Sequence, residues 1–171
     1  MLAGLVGIIG GLTNWAYHGA NQLIQKLTLG TGGDLLDAAE RLAPWQRAIT
    51  PAAGGLVAGA LLFWGGRLAR RRGTNLLEAV VAGDGRLPLR KGLVHGLSSL
   101  VSISTGASIG REGLITELSA TLASKFGQIA KWPPYRLRLL VACGAASGIA
   151  ASYKAPIAGA VFAAQIVLGN L

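Results

Sequence analysis

Four long stretches of this chain carry no charged residue: 1–25, 48–66, 92–110 and 155–171. No other feature restricts the possible folds so tightly. A helix needs about 20 mostly apolar residues to cross the hydrocarbon of a bilayer, and several of these runs reach or approach that length. A soluble chain must instead cover itself with charge, at about a quarter of its residues. Here charged residues make up 13% of the 171 and hydrophobic residues 51%, with a mean hydropathy of +0.50. A chain this small has too little interior to hide four such segments from water. The pattern indicates an all-α integral membrane protein.

The net charge of +9 then reads as a topology signal. Arg67, Arg70, Arg71 and Arg72 directly follow one apolar run, and Arg86, Arg90 and Lys91 precede the next. Basic residues gathered at the ends of membrane segments mark the cytoplasmic side. A nucleic-acid binder would spread them along a face with aromatics between, so no nucleic-acid partner is expected. The single cysteine, Cys143, excludes an internal disulfide. His18 and His95 are too far apart to suggest a ligand set, so neither metal nor cofactor is expected. The N-terminus lacks a charged lead segment and a clear cleavage site, and is not read as a signal peptide.

Along the chain, Met1 to about Leu29 predicts one long helix closing at Gly30, Gly32 and Gly33. An amphipathic patch, Asp34 to Arg47, leads to Pro51, the expected start of a second helix ending at the arginine cluster. A short helix is expected over 73–83, a third apolar helix over 91–103, and another from near Gly113 to Phe126. Trp132-Pro133-Pro134-Tyr135 reads as an interfacial turn. Two more segments, 137–150 and 156–169, flank a break at Ser152 to Pro156. Several of these are too short to span straight, and the breaks are rich in glycine. Irregular backbone at membrane depth persists only where it is buried in protein or lines a polar cavity, and half-helices so placed aim their N-terminal amides at ions.

The most informative stretch is Gly110-Arg111-Glu112-Gly113. Charges inside apolar sequence are costly, which makes them functional candidates. The glycines allow close backbone approach, and free N–H groups at a helix start attract anions. The plainer alternative is an Arg111–Glu112 contact at a helix cap, although adjacent residues seldom face each other. Glu117 lies about 140° around an ideal helix from Glu112, so the two carboxylates are not expected to act as a pair; a Lys or Arg partner is expected for Glu117. Gly144, Gly148 and Gly159 read as helix-packing positions. Lys154 either adds positive potential to an anion path or snorkels to the interface. Thr74 and Asn75 read as helix caps, and a hydroxyl at Thr74 could also touch an anion.

The Gly110–Gly113 motif resembles the glycine-arginine-glutamate-glycine-proline signature of the CLC family, the voltage-gated-type chloride channels and proton/chloride antiporters. Residues 148–162, GIAASYKAPIAGAVF, resemble the second signature of the same family. The order and separation of the two also match, and the similarity to the bacterial branch runs the length of the chain. The resemblance implies tilted and re-entrant transmembrane helices, with residues 1–171 forming the first of two inverted halves of the fold. It also implies a multi-pass protein of the inner membrane, working as a homodimer that moves chloride or a similar small anion and is not an enzyme. Glu112 matches the gating glutamate, and Gly110, Arg111, Gly113 and Leu114 would surround the anion site, with Thr74 the nearest match to a further ligand. Three departures stand out: Leu114 replaces the motif's proline, the family's Gly-Ser-Gly-Ile-Pro segment is not clear at Gly73-Thr74-Asn75, and the later motifs are missing. Gln165 and Ile166 occupy the place of an acidic pair found in the antiporters, which implies chloride movement weakly coupled to protons or uncoupled from them. The competing class is a non-conducting membrane scaffold, in which the glycine-rich breaks serve packing alone.

Overall fold

The computed structural model describes residues 2–29, 44–68, 76, 83–107 and 110–168. Among the described residues there are six helices and no strand: α1 (Leu2–Leu29), α2 (Pro44–Leu68), α3 (Leu89–Ser104), α4 (Arg111–Ile129), α5 (Pro134–Tyr153) and α6 (Pro156–Leu168). The all-helical expectation holds. Residues 34–43 of the amphipathic patch, Arg70, Arg71, Arg72, Thr74 and most of the short helix expected over 73–83 lie outside the described residues.

Two helix starts differ from expectation. α2 begins at Pro44 and runs through Pro51. A proline suits the first helical position because its missing N–H would be unpaired there anyway, and Pro44 takes that place before Pro51 does. α4 begins at Arg111, ahead of Gly113, because the extended residue that launches it is Gly110 (φ −61°, ψ 119°).

α3, α4 and α5 each close in a turn whose key residue has positive φ. At the end of α3 this residue is Gly106 (φ 108°), whose N–H donates to the Ile103 carbonyl while that of Ala107 donates to Ser102. α4 ends likewise at Lys131 (φ 53°), with Lys131 donating to Gln128 and Trp132 to Gly127. α5 ends at Lys154 (φ 54°), with Ala155 donating to Ala150. These bonds satisfy carbonyls that a helix end leaves open. A lysine in this left-handed conformation costs on the order of 1–2 kcal/mol, which glycine avoids.

Close approach through small residues sets the topology. A Cβ on Gly144 would meet Ala123 and the Ser119 carbonyl, and one on Gly148 would meet Thr116 and the Ile115 carbonyl, so α4 and α5 run antiparallel in van der Waals contact. Gly92 against Thr121 and Gly96 against Leu118 make α3 and α4 antiparallel. Gly54 against Thr105 and Gly65 against Val94 do the same for α2 and α3. α1 runs parallel to α5, with Gly10 on Ser147 and the Asn14 amide donating to Ala151 (3.2 Å). Without a hydrophobic drive between helices in lipid, backbone contact of this kind is what holds them together. The tightly packed centre contains Ile115, Ala120, Ala123, Val141 and Ala145, all with no exposed surface. The start of α4 consequently lies at the same end of the assembly as the C-termini of α1, α3 and α5.

Many large apolar side chains point outward. Trp15 is 77% exposed, Leu56 77% and Ile157 79%. One helical span, Ile49–Arg67, is by itself long and apolar enough to cross a membrane, and only 11% of its apolar window is buried. The core helix of a soluble protein would show the reverse. At 16 and 13 residues, α3 and α6 reach about 24 Å and 20 Å at 1.5 Å per residue, short of a roughly 30 Å hydrocarbon layer.

Candidate functional site

The site grows from the start of α4. Gly110 has no side chain with which to cap the helix, and no side-chain hydrogen bond serves there. The first-turn amides, those of Arg111, Glu112 and Gly113, have no partner within the helix ladder. They carry about half a positive charge between them, summed with the helix dipole. The acid of this turn is Glu112. Its side chain folds back over the helix end, so that a Cβ placed on Gly110 would lie 2.6 Å from Oε2. Only glycine leaves room for that placement. Arg111 is exposed and does not pair with Glu112; among the described residues the one contact at ion-pair distance joins His95 and Glu117. The Glu112 carbonyl accepts from Thr116 Oγ1 at 2.7 Å, and the helix continues unbroken.

Glu112 and Gly113 open onto a cavity of about 660 Å³, whose wall also carries Lys91 and His95 of α3, Glu117 of α4 and Tyr153 of α5. No atom lies within 4 Å of a Cβ placed on Gly113, so the backbone there faces open space. The cavity follows the α3–α4 pair from the start of α4 towards the start of α3. Glu112 is therefore at one end of the cavity and Lys91 towards the other.

Of the expected site residues, Glu112 and Gly113 share this cavity, with Gly110 directly behind the carboxylate. Leu114 differs: its side chain is buried at 6% exposure and packs with Tyr17, Leu100 and Ile115. Its amide is the fourth of the helix, where the Gly110 carbonyl is within the ladder's reach. Thr74 lies outside the described residues. Lys154 is exposed beyond the end of α5, and Gly144, Gly148 and Gly159 are buried at helix contacts.

One expectation about Glu117 is corrected. Its partner is His95, with Nδ1 and Oε1 3.9 Å apart, and not a lysine or arginine. It also lines the same cavity as Glu112. The 140° separation applies to side chains within a helix, whereas the Glu112 side chain turns back beyond the helix end. Sequence reading missed His95 as a cavity residue. Its spacing of four from Lys91, which puts both on one face of α3, was the available signal.

The sequence profile of voltage gated chloride channels matches residues 54–171. The chain is 43% identical over 172 residues to the voltage-gated ClC-type chloride channel ClcB of Yersinia pestis, covering 98% of this chain and 41% of that protein. It is 39% identical over 175 residues to the ClcB of Citrobacter koseri, covering all of this chain and 42% of that one. The ClcB of Salmonella typhi gives 40% over the same length and shares. The chain thus spans about two fifths of the length of these relatives. A profile match over more than half its residues and relatives of this identity along its whole length show that the chain belongs to the voltage gated chloride channel family.

Proposed function

We propose that this chain is the N-terminal half of the transmembrane domain of a chloride-moving protein in which Glu112 gates the anion path. The observation that carries the reading is the Glu112 carboxylate folded against Gly110, at an uncapped helix start facing an open cavity. A charged carboxylate there takes the place that an anion would take, because both are drawn by the same amides and the same end of the helix dipole. That attraction is worth roughly 0.3–2 kcal/mol, weak enough for chloride to compete with it. Protonation removes the carboxylate's negative charge and with it the reason to stay, so the side chain leaves and the anion enters.

In this reading the ligands are the first-turn amides of Arg111 and Gly113, with a smaller part for Leu114. Thr74 would add a hydroxyl from the segment before α3. The complete protein would be a multi-pass homodimer of the inner membrane. Its second half, related to this one by inversion, would cover the small-residue faces and exposed helix starts. With Gln165 and Ile166 where the antiporters carry acids, chloride movement would be at most weakly coupled to protons. The test is the Glu112→Gln variant of the complete protein in liposomes. Chloride flux that no longer responds to pH supports the gate, and an unchanged pH response refutes it.

A further inference from the structure

The opposite end of the assembly holds a second pocket unconnected with Glu112. It measures about 300 Å³ and is lined by Arg86, Gln128, Lys131, Trp132 and Leu137. We propose that it binds the phosphodiester headgroup of an anionic phospholipid.

The lining carries two cations and no acid. Neither Arg86 nor Lys131 takes part in the one ion-pair contact among the described residues. Both side chains are exposed, and both stand on backbone that is fixed in place. Arg86 sits in a loop strapped to α4 on either side: Ser124 Oγ donates to the Gly85 carbonyl (2.7 Å) and accepts from the Leu87 N–H (2.9 Å), while Gln128 Nε2 donates to the Leu87 carbonyl (3.3 Å). Gly85 itself has φ 69° and lies against the Arg138 backbone, where a Cβ would come within 2.8 Å of the amide nitrogen. The Nε of Arg138 is buried without a hydrogen-bond partner.

Lys131 occupies the left-handed position of the turn that ends α4, where glycine is the ordinary residue. A strained lysine facing a pocket is the kind of outlier from which a functional role is inferred. Trp132 packs on Val6, Ala123 and Leu140, in the manner of an aromatic anchored at headgroup level.

A lipid fits better than free phosphate because the helices that carry the pocket also expose apolar side chains. Ile129, two residues before Lys131, is 71% exposed, and Leu139, two residues after Leu137, is 49% exposed. Arg67, Arg90 and Arg136 lie at the same end of the helices, which is the cytoplasmic side by charge. Basic pockets between membrane helices on that side select anionic headgroups.

The experiment uses the complete protein in detergent, titrated with phosphatidylglycerol, phosphatidylcholine or inorganic phosphate. Bound lipid is counted by native mass spectrometry. Phosphatidylglycerol should bind in preference to phosphatidylcholine, and removing each charge by Arg86→Gln or Lys131→Gln should weaken it about fivefold, about 30-fold together. Lys131→Gly keeps or improves the turn, so it should lose lipid while remaining folded, which separates charge from folding. Lys125→Gln, at an exposed position of α4 outside the pocket, should change affinity less than about twofold. Equal loss from Lys125→Gln and Lys131→Gln would mean diffuse basic charge and overturn the pocket. Displacement of the lipid by millimolar inorganic phosphate would overturn the lipid assignment.

Discussion

The position of the Glu112 carboxylate can be moved without touching Glu112. Gly110 has φ −61° and ψ 119°, a conformation open to any residue, so Gly110→Ala adds no backbone strain. The new methyl would lie 2.6 Å from Glu112 Oε2, with only Glu112 Cδ at 3.9 Å as another neighbour within 4 Å. Carbon and oxygen approach comfortably to about 3.3 Å, so the carboxylate must withdraw by several tenths of an ångström. A side-chain torsion displaced far enough to do so costs on the order of 0.5–1.5 kcal/mol. The same amount shifts the balance between blocked and released carboxylate by about twofold to tenfold. Alanine at the helix start costs little further stability relative to glycine, within about 1 kcal/mol. Chloride efflux from liposomes containing the complete Gly110→Ala protein should therefore rise about twofold to tenfold at neutral pH, and less in acid, where the carboxylate is already released. Parental efflux at every pH, from a variant that folds normally, would refute the placement of the carboxylate against Gly110.

Three further outcomes follow from the packing. Ser124→Ala strips partners from the Leu87 N–H and the Gly85 carbonyl beneath a side chain with no exposure, and should lower stability by about 2–4 kcal/mol in denaturant titrations of the detergent-solubilised protein. Lys154→Gly relieves a left-handed lysine at the α5–α6 break and should raise stability by about 1 kcal/mol, seen as a higher midpoint of thermal unfolding. Residues 1–171 purified alone should give no selective, saturable chloride flux, since α2 and other helices carry apolar faces and open helix starts that no described residue covers.

The sequence announced some of this architecture plainly and concealed the rest. The helix over 2–29 and the break before Pro156 followed from apolar runs and proline. The start of α4 was legible to within two residues because Gly110 and Gly113 both permit a break, and only the backbone shows which is used. Pro51 misled because a proline can start a helix or persist inside one, and the choice depended on Pro44. Glu112 stood out as a charge in apolar surroundings. The His95–Glu117 contact did not, because it joins helices whose register is set by Gly92 and Gly96 lying on Thr121 and Leu118. Helical angles alone could not say that Glu112 and Glu117 share a cavity wall, since the first-turn side chain escapes the helix surface. The pocket at Arg86 and Lys131 depends on a loop tied down by Ser124, a serine that in sequence is one small residue among many.

Glu112→Gln tests the gate most directly. Glutamine keeps the shape of glutamate but carries no charge at any pH, so it imitates the protonated side chain and has no proton to exchange. The measurement is chloride efflux from liposomes holding the complete protein, parent and variant, across a series of pH values. The parent should speed up as pH falls. The variant should already run near the parent's acid rate at neutral pH and lose most of the pH response. A variant that is slow at neutral pH and accelerates in acid as the parent does would contradict Glu112 as the gate.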